Sequence, residues 1–111
     1  MATINDAIIT QMTECIVKEV NPERIILFGS AARGQVHDDS DIDLLVIEDA
    51  PFGADRSRFR ETSRINRALA RFNVAKDVLV YSVDEIARWR SSLNHVISQA
   101  LREGRELYVR P

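Results

Sequence analysis

The sequence predicts a single α/β or α+β domain. Stretches with apolar residues at helical spacing alternate with short apolar runs bounded by glycine, proline and aspartate, the pattern of helices packed on a sheet. The length of 111 residues suits one domain, residues 1–111, and leaves no room for a second. With 45% apolar and 29% charged residues, the composition is that of an ordinary soluble globular protein with a core of its own.

Each element has its own signal. Thr3-x-x-Asp6 resembles a capping box, and Ile4, Ile8, Met12, Ile16 and Val20 follow at helical spacing until Asn21-Pro22 stops the helix. Arg24 to Phe28 is a short β-rich run ending in Gly29 and reads as a buried strand. After a polar loop, Ile42 to Ile47 forms a second strand, closed by Asp49-Ala50-Pro51. Residues 55–72 are expected to be helical, with Phe59, Thr62, Ile65, Leu69 and Phe72 on one face. Asp77 to Tyr81 is a third strand. Ser82-x-x-Glu85 resembles another capping box and opens a short helix through Arg88. Leu93, Val96, Ile97, Ala100 and Leu101 trace a last amphipathic helix, ended by Gly104, with a short edge strand expected from Leu107 to Val109.

Several function classes are disfavoured. Cys15 is the lone cysteine, so it forms no internal bridge; beside Met12 and Ile16 it reads as a buried thiol in a reducing cytoplasm. No segment approaches the ~18 consecutive apolar residues of a membrane helix. Met1 to Asp6 lacks the basic-then-apolar profile of a signal peptide. A net charge of −2 argues against nonspecific nucleic-acid binding and makes nucleic acid a poor candidate acceptor.

The informative stretch is Phe28-Gly29-Ser30-Ala31-Ala32-Arg33-Gly34, followed by Ser40-Asp41-Ile42-Asp43-Leu44. Gly29 sits where a strand turns into a helix, so the chain can approach a bulky anion there. The Ser30 hydroxyl and the N–H groups behind it make a small anion site, favoured by the helix dipole. Arg33, one turn on, adds a forked donor for phosphate oxygens, and Gly34 caps the turn. Asp41 and Asp43 stand one residue apart at the start of a strand, so both carboxylates share one face while Ile42 and Leu44 point to the other. Two carboxylates so close repel unless a cation lies between them, and magnesium prefers such oxygen ligands together with substrate phosphates. A phosphate cradle beside a carboxylate pair is the equipment of phosphoryl or nucleotidyl transfer. Taken singly, Gly-Ser is a turn, Asp-x-Asp a solvated loop end and Arg33 a surface residue. Together, four fixed positions at set spacing arise by chance in roughly one chain of this length in a thousand.

Gly29-Ser30, ten residues, then Asp41-Ile42-Asp43 resembles the signature of the polymerase-beta-like nucleotidyltransferase superfamily. The fuller context looks like the minimal nucleotidyltransferase family, with residues 24–47 carrying the specific match. The resemblance implies a small mixed β-sheet packed with helices, transfer of a nucleoside monophosphate from ATP or another NTP, and a pair of Mg²⁺ ions. It also implies a third carboxylate before an apolar run, which Asp77-Val78-Leu79-Val80-Tyr81 supplies. Asp77 would then bind metal with Asp41 and Asp43 and accept the proton of an acceptor hydroxyl; otherwise it merely begins a strand. Ala31 departs from the pattern, since many relatives carry arginine there, and shifts phosphate binding onto Arg33.

Larger relatives carry added domains that hold the acceptor; this length has no room for one, so the acceptor is expected to dock in trans. The minimal family is commonly encoded beside a HEPN-domain RNase toxin and acts as its antitoxin by adenylylating a tyrosine. The alternative is a non-catalytic antitoxin that masks its toxin by binding alone.

Two features stand outside this constellation. Arg56, Arg60, Arg64, Arg67 and Arg71 should cluster opposite the apolar face of the 55–72 helix, as a solvated stripe or a docking surface for an acidic partner or polynucleotide. His37 precedes the carboxylates and His95 lies beside Val96; both read as incidental surface histidines.

Overall fold

The computed structural model describes residues 6–32, 41–91 and 96–111. The side chain of Ser30, and Thr3, Ile4, Arg33, Gly34, His37, Leu93 and His95, lie outside what is described. Among the described residues the chain runs α1 (Asp6–Val20), β1 (Arg24–Phe28), α2 (Gly29–Ala32), β2 (Ile42–Glu48), α3 (Arg58–Ala68), β3 (Lys76–Ser82), α4 (Val83–Trp89), α5 (Val96–Glu103) and β4 (Arg105–Val109). The four strands form one mixed sheet in the order β3-β2-β1-β4. β1 pairs antiparallel with β2 and β4, whereas β2 and β3 run parallel and are joined through α3, the crossover that parallel neighbours require.

The sheet is covered on both faces, which is why β1 and β2 read as continuous apolar runs. Ile25 and Leu27 of β1, Ile42, Leu44 and Val46 of β2, and Val78 and Val80 of β3 pack against α1 and α3 through Ile9, Met12, Ile16, Ile65 and Leu69. The alternate residues Ile26, Leu45 and Ile47 pack with Ile86, Ile97 and Ala100 of α4 and α5. Period two thus sorts β1, β2 and β3 between two cores.

Local chemistry sets the boundaries. Asn21 adopts φ 47°, the left-handed conformation that ends α1, and its N–H donates to the Val17 carbonyl at 2.9 Å. The buried Thr13 hydroxyl is satisfied by the Ile9 carbonyl at 2.8 Å. The capping box at α4 forms as the sequence indicates: the Glu85 N–H donates to the Ser82 hydroxyl and the Ser82 N–H to the Glu85 carboxylate. β4 starts at Arg105, two residues before the expected edge strand.

The expected 55–72 helix is shorter. Gly53 and Arg56 close a turn through paired backbone hydrogen bonds of 3.0 and 3.2 Å, and the Ser57 hydroxyl then caps α3 by accepting from Arg60 N. Phe59 does not join the apolar face; it is 80% exposed. At ~100° per residue it lies about 120° around the helix from Ile65, outside the buried stripe. Nor do the five arginines form one stripe. Arg56 precedes the helix and pairs with Glu48 and Glu61; Arg64 bridges to Glu19 at 3.1 Å; Arg71 donates to the half-buried Cys15 sulfur at 3.1 Å. Among the described residues Arg60, Arg67 and Arg71 of the set carry no ion pair, and Arg71 is held by the Cys15 sulfur and the Phe72 ring. Among the described residues, no helix is long and apolar enough to cross a membrane.

Candidate active site

The site lies on the face of the sheet that α4 and α5 cover, at the end where β1 finishes and β2 and β3 begin. Three residues stand there in a row across three strands. Phe28 is the register partner of Asp43 on one side, and Asp77 is its partner on the other. Asp43 therefore shares a face with Leu45 and Ile47, while Ile42 and Leu44 are buried in the opposite core. Asp41 precedes β2 and is exposed, Asp77 is the exposed second residue of β3, and Asp43 between them is half-buried.

Gly29 closes the site. Its φ of +74° turns the end of β1 into α2, and a Cβ built on it would lie 2.2 Å from Asp43 Oδ2. A side chain there would displace the carboxylate, so glycine serves both the turn and the packing. The neighbouring Ser30 opens the same helical turn.

Electrostatics mark Asp43 as the focus. Its pKa is raised above the ordinary carboxylate value, first by burial and then by the negative charges of Asp77 and Asp41. Those like charges identify Asp41, Asp43 and Asp77 as one interacting set. Among the described residues no three His, Cys, Asp or Glu side chains are drawn into a ready-made metal cage. The donor chemistry is nevertheless that of a hard divalent ion: carboxylate oxygens, mutual repulsion and an open side facing solvent.

One acid that the sequence reading passed over is Glu48, at the far end of β2. It is 4% exposed and bound by Arg56, and its Oε2 has no hydrogen-bond partner. Its pKa is pushed up to about 8 by burial and by Glu61, against the opposing charge of Arg56. A glutamate ending an apolar run looks solvent-facing in sequence; only the fold of the 50–61 segment over it shows otherwise.

Comparisons with known proteins agree with this architecture. No curated protein matches the sequence. Among solved structures, the chain is similar to a protein assigned as a nucleotidyltransferase from Sulfolobus solfataricus, with a TM-score of 0.61, 23% identity and coverage of 94% of this chain and 79% of that one. It is also similar to a toxin–antitoxin crystal structure with AMP-PNP, with a TM-score of 0.57, 22% identity and coverage of 90% and 73%. A mutant of the toxin–antitoxin MntA–HpeT gives a TM-score of 0.55 at 20% identity, covering 96% of this chain and 74% of that one. At these identities the likeness is one of fold. The sequence itself goes further: residues 10–111 match the family described as polymerase beta, nucleotidyltransferase, and the chain belongs to it.

Proposed function

We propose that the chain is a Mg²⁺-dependent nucleotidyltransferase that moves AMP from ATP onto a hydroxyl, the tyrosine of a HEPN-type toxin partner, and so acts as an antitoxin. The observation that carries the reading is the seating of Asp43 against Gly29 with Asp77 as its cross-strand partner. It gathers the Gly29 turn, Asp43 and Asp77 at one sheet end, which supports reading them, with Asp41 and Ser30, as a single nucleotide and metal site.

Asp41 and Asp43 would hold a pair of magnesium ions, which when bound would supply charge neutralisation at the α-phosphate and alignment of the attack. Asp77 contributes a further ligand and takes the proton of the attacking hydroxyl, which its exposed position leaves accessible. The Gly29–Ser30 turn receives the phosphate tail, with Arg33 as a forked donor. Pyrophosphate leaves as the acceptor oxygen bonds to phosphorus. The fold shared with toxin–antitoxin structures, one of them with AMP-PNP, supports this choice of partner and nucleotide.

The test is label transfer. With ATP labelled at the α-phosphate, the partner should acquire label only with Mg²⁺ present and not with the Asp41→Asn protein. A partner that stays unlabelled yet is neutralised equally by Asp41→Asn would point to masking alone.

A further inference from the structure

Beside the carboxylates, between the β1–α2 corner and α5, lies a cavity of about 230 Å³ lined by Phe28, Gly29, Val96, Gln99 and Glu103. Gly29 belongs to both places, since it lines the cavity and also abuts Asp43. The row Phe28–Asp43–Asp77 fixes the direction: the cavity lies one strand from Asp43 on the side away from Asp77. If Asp77 faces the acceptor, this side is left to the nucleotide.

The lining suits a flat ring with a polar edge. Val96, Gln99 and Glu103 recur at helical spacing on one face of α5. Val96 leaves 40% of its surface open, and with Phe28 it supplies the apolar part of the lining. At the polar end, Gln99 Nε2 donates to Glu103 Oε2 at 3.1 Å. A carboxylate only accepts, so it fixes which way the amide points. Gln99 is left with its carbonyl oxygen and its second N–H.

We propose that this cavity receives the nucleotide base and that Gln99 reads adenine, held in orientation by Glu103 as a positioning residue. The inference rests on the nucleotidyltransferase reading and adds to it the recognition of the base. A carbonyl acceptor beside an N–H donor complements adenine, whose 6-amino group adjoins a ring-nitrogen acceptor. Guanine offers O6 and N7, both acceptors, or O6 and N1–H in the reverse order. Cytosine offers adenine's pair of groups on a single ring that spans less of the cavity.

The test is calorimetric titration of the full chain, in Mg²⁺, with ATP, GTP, CTP and inorganic tripolyphosphate. ATP should bind more tightly than GTP by on the order of tenfold. Gln99→Leu should erase that preference and leave tripolyphosphate affinity unchanged. Glu103→Gln, which frees the amide to rotate, should narrow it. Val96→Trp fills the cavity and should weaken ATP at least about tenfold without touching tripolyphosphate. ATP affinity and base preference unchanged in both Gln99→Leu and Val96→Trp would overturn the base assignment while leaving the phosphate site in place. Failure of the wild-type chain to bind either tripolyphosphate or any nucleotide would instead remove the nucleotide reading, and this inference with it.

Discussion

Gly29 and Asp43 are packed so closely that a methyl group on the glycine would lie 2.2 Å from Oδ2 of the aspartate. The fold thus couples the turn that opens α2 to the half-buried carboxylate near the start of β2. Gly29→Ala should strain the left-handed backbone by about 1–2 kcal/mol and push the carboxylate aside. Nucleotidyl transfer should fall on the order of 100-fold, because misplacing a reacting group by an ångström costs about that much. Circular dichroism with a transfer assay checks both; a folded Gly29→Ala protein with normal transfer would show that the contact has no part in the chemistry.

Asp43 should be a site where function is kept at the expense of stability. Its folded pKa is raised, so the fold favours the protonated acid. That contribution is fully present below the unfolded value of 3.8 and is lost as pH climbs through the higher folded value. At neutral pH the ionised group opposes folding. Asp43→Asn should therefore raise the melting temperature in metal-free buffer while abolishing transfer, and the gain should shrink as pH falls toward 4. An equal or lower melting temperature at pH 7 would contradict the burial and carboxylate repulsion that together raise the Asp43 pKa.

Glu48 should impose its own pH dependence, away from the site. With its pKa raised from 4.5 to about 8, the bound proton stabilises the fold fully below pH 4.5, and that support is lost as pH rises through about 8. Glu48→Gln keeps an acceptor for Arg56 and removes the buried charge. Melting temperatures measured from pH 5 to 9 should show the variant gaining on the wild type toward alkaline pH. Parallel curves would mean that Glu48 is ionised throughout.

The arginines of α3 should separate into two classes. Arg64 engages the Glu19 side chain and its carbonyl, so Arg64→Glu should cost about 1–2 kcal/mol by facing Glu19 and Glu61 with a like charge. Arg60→Glu combined with Arg67→Glu should stay within about 0.5 kcal/mol, since neither side chain has an ion-pair partner among the described residues. Urea denaturation distinguishes the two. Partner binding by the Arg60/Arg67 double variant then reads docking alone; unchanged binding would leave this face merely solvated.

Much of this was legible in the sequence, for identifiable reasons. Gly29, Asp41, Asp43 and Asp77 stand at fixed spacing and meet at one sheet end, and strand period alone places Ile42 and Leu44 opposite Asp43. The β1 and β2 cores announce themselves as apolar runs. What escaped depends on contacts between distant segments. Ile9, and not Ile8, is the buried α1 residue near the helix start. Phe59 looked apolar enough to be core, yet the capping turn at 53–57 sets the phase of α3 and sends it outward. Gln99 and Glu103 read as the polar stripe of an amphipathic helix, and only the packing of α5 beside β1 gives them a cavity to face.

The central claim is tested most directly by mass spectrometry of the partner protein, incubated with this chain, ATP and Mg²⁺. The account predicts an AMP adduct on a tyrosine hydroxyl of the partner, lost when Asp43→Asn replaces the wild-type chain and lost again when the metal is chelated. A partner of unchanged mass under conditions where the wild-type chain neutralises it would contradict the account.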